Sequence, residues 1–167
     1  MCSWCILLQI SLHPIGVIRS PYHQSENTPI QPCFSDEVGY AEIEEEFVDG
    51  LESLDGFSHI ILLYWCHKAR SPRMKVTPYL DKREHGLFAT RAPSRPNPIG
   101  FSIVKLLKIE GNRLTFSDTD ILDETPLLDI NPFVPRFDNR PNATSGWLTD
   151  SLSDAEQRGT ADSRFQQ

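Results

Sequence analysis

The 167-residue chain has no apolar run approaching the roughly 20 residues a helix needs to cross a bilayer, which excludes a helical membrane span. No secretory leader is expected either: the stretch from Trp4 to Leu12 is short, lacks a basic start and has no small-residue cleavage site. Cysteine is scarce, and without a leader Cys2, Cys5, Cys33 and Cys66 are expected to be reduced thiols of a cytoplasmic protein. Cys2 and Cys5 make one C-x-x-C with no second pair, too few ligands for a structural zinc. Also missing are a glycine-rich strand-to-helix turn of the dinucleotide-binding kind, an EF-hand spacing and an internal repeat. Helix-length periodicity is almost absent. Many short β-type runs punctuated by turn residues remain, and they predict a mainly β domain that closes on itself.

The formal charge of −7 argues against a nucleic-acid partner if only the total is read. Its distribution reverses that inference. From Lys68 to Arg95 eight basic residues stand against two acidic ones, a local +6 that leaves −13 for the rest of the chain. Screening over about 8 Å at physiological salt lets such a segment attract an anion while the far side stays acidic.

Residues 1–11 read as an N-terminal extension, 12–148 as one domain and 149–167 as a flexible polar tail. Within the domain, Ile15–Ser20 is a first strand and Val38–Phe47 alternates as a half-buried one, and a short helical turn lies between Gly50 and Gly56. Phe57–His67, rich in β-branched and aromatic residues, is the expected central strand. Lys68–Gly86 is irregular and basic, and Leu87–Arg91 is predicted to return to extended structure. Phe101–Asp118 reads as two strands joined at Gly111-Asn112, a pair suited to a tight hairpin, and Pro126–Pro135 closes the series.

One stretch carries unusual chemistry. In FATRAPSRPNPIGFS, Phe88–Ser102, Arg95 and Asn97 each precede a proline and are therefore biased toward extended backbone, with less freedom to lose on binding. Arg91 and Arg95 offer planar forks to a carboxylate or phosphate. Gly100 would admit a ligand or a neighbouring chain closely. Asp118, Asp120, Asp123, Glu124 and Asp129 form a second, acidic cluster able to accept from diols and amines. His59 and His67 share one strand but lie about 26 Å apart, so they cannot hold one ion, and no metal site is expected. His67, at the strand's end, is the better placed of the two for a ligand pocket.

Three blocks in this order, GFSHIILLYWCH, FATRAPSRPNPIGFS and DTDILDETPLLDINPFVP, closely resemble those of the TrmO (TsaA-like) tRNA methyltransferases, from about Ile15 to Leu148. The resemblance implies a single-sheeted β-barrel, a homodimer, S-adenosylmethionine as cofactor and methylation of N6 of threonylcarbamoyladenosine beside the tRNA anticodon. It places Gln31, Pro32, Cys33, His67, Lys68, Arg91, Phe101, Asp120, Ile121, Leu122 and Asp123 along the cofactor, with His67, Asp120 and Asp123 as candidate catalytic groups. Arg95 and Asn97 fall at the same mouth, and Arg70, Arg73 and Lys75 in the basic segment are assigned to the anticodon stem-loop. Three departures stand out: Glu124 where the family usually has glycine, Asn131 where it commonly has lysine, and Cys33 where some members have glycine. The chain resembles the compact form without an additional C-terminal domain. Two other readings fit the same residues, a non-catalytic RNA-binding barrel and a small-molecule methyltransferase or ligand sensor that keeps only the cofactor pocket.

Overall fold

The computed structural model describes residues 10–26, 28–149 and 160–161. The Cys2–Cys5 motif and most of the 149–167 segment lie outside them. Among the described residues eight strands occur in chain order: β1 Gly16–Arg19, β2 Gly39–Ile43, β3 His59–Trp65, β4 Lys75–Val76, β5 His85–Gly86, β6 Ile99–Glu110, β7 Arg113–Ser117 and β8 Thr125–Pro132. Six of them close into an antiparallel barrel in the order β1-β2-β7-β6-β3-β8, with β8 returning to β1. Closure removes the exposed edges of an open sheet.

Alternation sets which way each strand faces. Along β6 the inward column is Gly100, Ser102, Val104 and Leu106, and along β3 it is Ile60, Leu62 and Tyr64. The apolar members of both columns join Ile18, Ala41, Ile43, Leu114, Phe116, Ile121 and Leu127 in one core. The end of the column that holds Gly100, Ser102 and Tyr64 is small or hydroxylated, so the barrel becomes polar toward that end. The β6–β7 hairpin turns as expected over two residues. Only the first carries positive φ, Gly111 at 60°, the pattern of a II′ turn.

Three segments differ from the sequence reading. Glu45–Phe47, read as the end of a strand, belongs to the 3-10 helix Glu45–Leu51. Leu87–Ala89 is a 3-10 turn, not a strand: Leu87 alone of its apolar residues is buried, and Phe88 stays 75% exposed. The Lys68–Gly86 segment is not wholly irregular, since β4 and β5 pair as a small ribbon. Val76, Leu87 and Ala92 form a separate cluster beneath it. His85 fastens that lobe twice, with Nε2 2.8 Å from Asp81 Oδ2 and its ring stacked on Trp147 at 4.3 Å. Trp147 in turn donates from Nε1 to the Ala89 carbonyl. The polar tail also contributes structure: Thr160 bridges to Pro29, and the buried Ala161 donates to the Thr28 carbonyl.

Candidate active site

Between β7 and β8, residues 118–124 span one end of the barrel, and the residues assigned to the cofactor divide into two groups along this loop. In the first group, Arg91 lies exposed on the long loop before β6. Its Nη1 donates to Gln31 Oε1 at 2.6 Å, and its guanidinium carbon stands 5.9 Å from the centre of the Phe101 ring, which is 43% exposed. Gln31 immediately precedes the 3-10 turn Pro32–Phe34, so Pro32 and Cys33 sit beside this fork. Asp120 faces the same group from below. Its Oδ1 accepts from Ser102 Oγ at 2.7 Å, and Ser102 Oγ is 3.0 Å from Tyr64 Oη.

The electrostatics follow from that placement. Burial pushes the Asp120 carboxyl up to about 6, against the opposing pull of the Ser102 hydrogen bond, its own backbone amide and the Arg91 charge. Around it, burial and the Asp120 carboxylate keep nearby groups protonated: the Cys66 thiol is pushed up to about 11, the Tyr64 phenol well above its ordinary range, and the Cys33 thiol more modestly upward. An exposed cation held by a neutral amide therefore faces a carboxyl that keeps its proton more tightly than an ordinary one and releases it closer to neutrality.

His67 and Asp123 belong to the second group. Asp123 accepts from the Ser20 amide at 3.2 Å and lies 3.3 Å from His23 Nδ1, while Lys68 Nζ donates to the His23 carbonyl. Thr125 Oγ1 donates to the Leu122 carbonyl, so it can only accept from His67 Nδ1 at 3.3 Å. That assigns the proton to Nδ1 and leaves Nε2 as an acceptor. Burial, then the Lys68 charge, lowers the His67 pKa, so the ring is neutral at pH 7. The side chain of Ile121 is fully buried in the core, and its carbonyl accepts from Ser20 Oγ at 2.6 Å.

The proline-rich loop is held by its own arginine. Arg95 Nη1 donates to the Thr90 carbonyl at 3.0 Å and reaches those of Leu87 and Ala92 at 3.5 Å, with its guanidinium 5.6 Å from the Phe88 ring. Its fork thus staples the loop from within, whereas Asn97 is exposed and Arg91 points to Gln31. Arg70, Arg73 and Lys75 are exposed on the small lobe. Asp118 and Asp129 take no part in either group, and among the described residues no cluster of His, Cys, Asp or Glu is arranged to hold a metal ion. An open cleft of about 560 Å³, lined by Arg19, Ser20, Pro21, Val38, Tyr40, Glu42 and Asp123, adjoins the second group. Its charged Arg19 and Glu42 already face each other at 3.9 Å, and it shares no residue with the Arg91–Asp120 group, where the unusual chemistry lies.

Glu124 occupies a turn whose backbone suits glycine. Its φ is 63°, a left-handed conformation that costs a side-chain residue about 1–2 kcal/mol. The exposed ion pair with Arg19 at 3.3 Å offsets less than that. Glu124→Gly is expected to raise the thermal midpoint by about 2 °C. A lower midpoint by differential scanning calorimetry would show that the ion pair outweighs the strain.

Fold and site define a closed six-stranded β-barrel that carries a mixed-charge cluster drawn from a proline-braced loop and an acidic inter-strand loop. A model of the tRNA-methyltransferase O N-terminal domain matches residues 17–139, and the chain belongs to that family. A probable S-adenosyl-L-methionine-binding protein of Pyrococcus abyssi is 46% identical over 159 residues, covering 95% of this chain and 86% of that protein. A mouse tRNA (adenine(37)-N6)-methyltransferase is 34% identical over 137 residues, 77% of this chain but 32% of the mouse protein. Among solved structures, TrmO from Pseudomonas aeruginosa superposes with a TM-score of 0.72 at 38% identity, over 84% of this chain and 63% of that one. No helix among the described residues is long and apolar enough to cross a membrane.

Tyr64, Ser102 and Cys66 joined the first group without having been singled out from the sequence. The available signal was parity: Ser102 falls on the inward face of an otherwise apolar alternation, where a hydroxyl must find a partner.

Proposed function

We propose that the protein is an S-adenosylmethionine-dependent methyltransferase acting on tRNA, at N6 of threonylcarbamoyladenosine beside the anticodon. The observation that carries this reading is the Arg91 fork, fixed by Gln31 over an exposed aromatic ring and facing a carboxyl that ionises near pH 6. That donor set fits the methyl donor: a guanidinium for its amino-acid carboxylate, the Phe101 face for its adenine, and a carboxylate near its cation. When bound, S-adenosylmethionine supplies a methyl group and leaves as a neutral thioether. Cys33 and Pro32 stand beside this fork, and in this reading His67, Lys68, Leu122 and Asp123, which form the second group, contact a more distant part of the bound donor.

Of the three candidate catalytic groups, Asp120 is best suited to take the N6 proton. Its carboxylate can accept that proton as the nitrogen gains its methyl group, so charge and protons balance. Asp123 is committed to the Ser20 amide and His23, and neutral His67 can accept only through Nε2. Arg70, Arg73 and Lys75 on the small lobe engage tRNA phosphates, while Arg95 acts by shaping the loop that carries Arg91 and Asn97. The active species is a homodimer in the cytoplasm, a reading that rests on family resemblance.

The test is mass spectrometry of nucleosides from tRNA carrying threonylcarbamoyladenosine, incubated with protein and methyl donor. One added methyl on that nucleoside supports the proposal. No added methyl, with the donor nevertheless bound, would favour a ligand sensor or a small-molecule methyltransferase.

A further inference from the structure

Asp120 does not meet its surroundings alone. Ser102 Oγ donates to Asp120 Oδ1, and a hydroxyl has one proton to give. The Tyr64–Ser102 bond must therefore run from the phenol to Ser102, so the chain Tyr64 Oη, Ser102 Oγ, Asp120 Oδ1 has a single direction. Every donor in it points toward the carboxylate. The geometry behind it is unusual in one respect: Tyr64 pairs across β3 and β6 with Gly100, and its ring lies where a Cβ on Gly100 would be. The β3–β8 register also shifts between Leu63 and Tyr64, the kind of irregularity that re-aims a side chain.

We propose that Tyr64 and Ser102 are positioning residues that act through Asp120, a one-way hydrogen-bond relay from the barrel interior which orients the carboxylate and favours its ionised form, with Gly100 as the space that admits the tyrosine ring. The proposal rests on the reading of Asp120 as proton acceptor. Other groups facing that carboxylate are Arg91 from the long loop, Cys33 from the Pro32–Phe34 turn and Cys66 just beyond β3. Both thiols are held protonated, so among these groups Arg91 is the charged partner, and Ser102 is the direct side-chain donor. Burial opposes ionisation, and the relay counters it from the side away from solvent. The glycine of the RPNPIG block thus serves the carboxylate at a distance, through Tyr64 and Ser102.

The experiment is a carbon-13 carboxyl NMR titration of the full-length protein, wild type beside Ser102→Ala and Tyr64→Phe, with circular dichroism to check folding. Wild-type Asp120 is expected to titrate near pH 6. In Ser102→Ala the midpoint should rise by about one pH unit, a tenfold tighter hold on the proton, and in Tyr64→Phe by less in the same direction. An unchanged midpoint in folded Ser102→Ala overturns the relay. Should that variant fail to fold, an unchanged midpoint in Tyr64→Phe does so. The pH profile of methyl transfer, measured alongside, should move with the carboxyl. A midpoint that moves while the profile does not leaves the relay standing and removes Asp120 from the proposed chemistry.

Discussion

Asp120→Asn is expected to lower the rate of tRNA methylation by about a hundredfold or more while making the protein more resistant to heat. The first effect follows from losing a positioned proton acceptor, a contribution typically worth about 10²–10⁴ in rate. The second comes from the cost of the buried charge. In the folded state this carboxyl is pushed up to about 6 from an ordinary 3.8. Between those values the folded protein keeps a proton that the unfolded chain has released. Stability therefore falls as pH rises through that window and is lowest above it. An amide carries no such charge, and its oxygen could still accept from Ser102, so the variant should gain on the order of 1–3 kcal/mol at pH 7 and little at pH 4. Thermal melts at the two pH values, run beside the methylation assay, read both effects. Reduced stability at pH 7 together with reduced activity would point to Asp120 as a structural residue.

Gly100→Ala is expected to destabilise the fold. A Cβ there would overlap Tyr64 Cε2 and Cζ and lie 2.6 Å from Cδ2, and the ring is wedged between the core and Ser102. Overpacking of this kind costs about 1–3 kcal/mol. The ring must leave its place, and the Tyr64–Ser102 bond goes with it. The double variant Gly100→Ala with Tyr64→Ala has room for the new methyl, so the two changes should be non-additive by about 1 kcal/mol or more in a double-mutant cycle from chemical denaturation. Additive effects would mean that the glycine is needed for some other reason.

The barrel was legible because its signals are local. Alternation marked β2, β-branched and aromatic content marked β3, and Gly111-Asn112 marked the β6–β7 hairpin. Leu87–Ala89 was misread since a short apolar stretch has no period long enough to distinguish a strand from a turn. Arg91 and Arg95 look equivalent in the sequence, four residues apart in one loop. Only the folded loop shows that Arg91 reaches Gln31, sixty positions away, while Arg95 is occupied by its own neighbours' carbonyls. The acidic run hid its division in the same way. A loop has no fixed side-chain period, so nothing in DILD could say that Asp120 meets Ser102 and Asp123 meets Ser20. Glu124 stands where the resemblance implies glycine, and its positive φ supplies the physical meaning.

In the proposed function Arg91 and its neighbours grip the methyl donor, and calorimetric titration with S-adenosylmethionine, wild type beside Arg91→Ala, tests that grip directly. Saturable binding by wild type is expected, with affinity about tenfold or more lower in the variant, in keeping with loss of a charge-assisted contact. Wild-type protein that takes up no donor, or a variant that binds it equally well, would contradict the account.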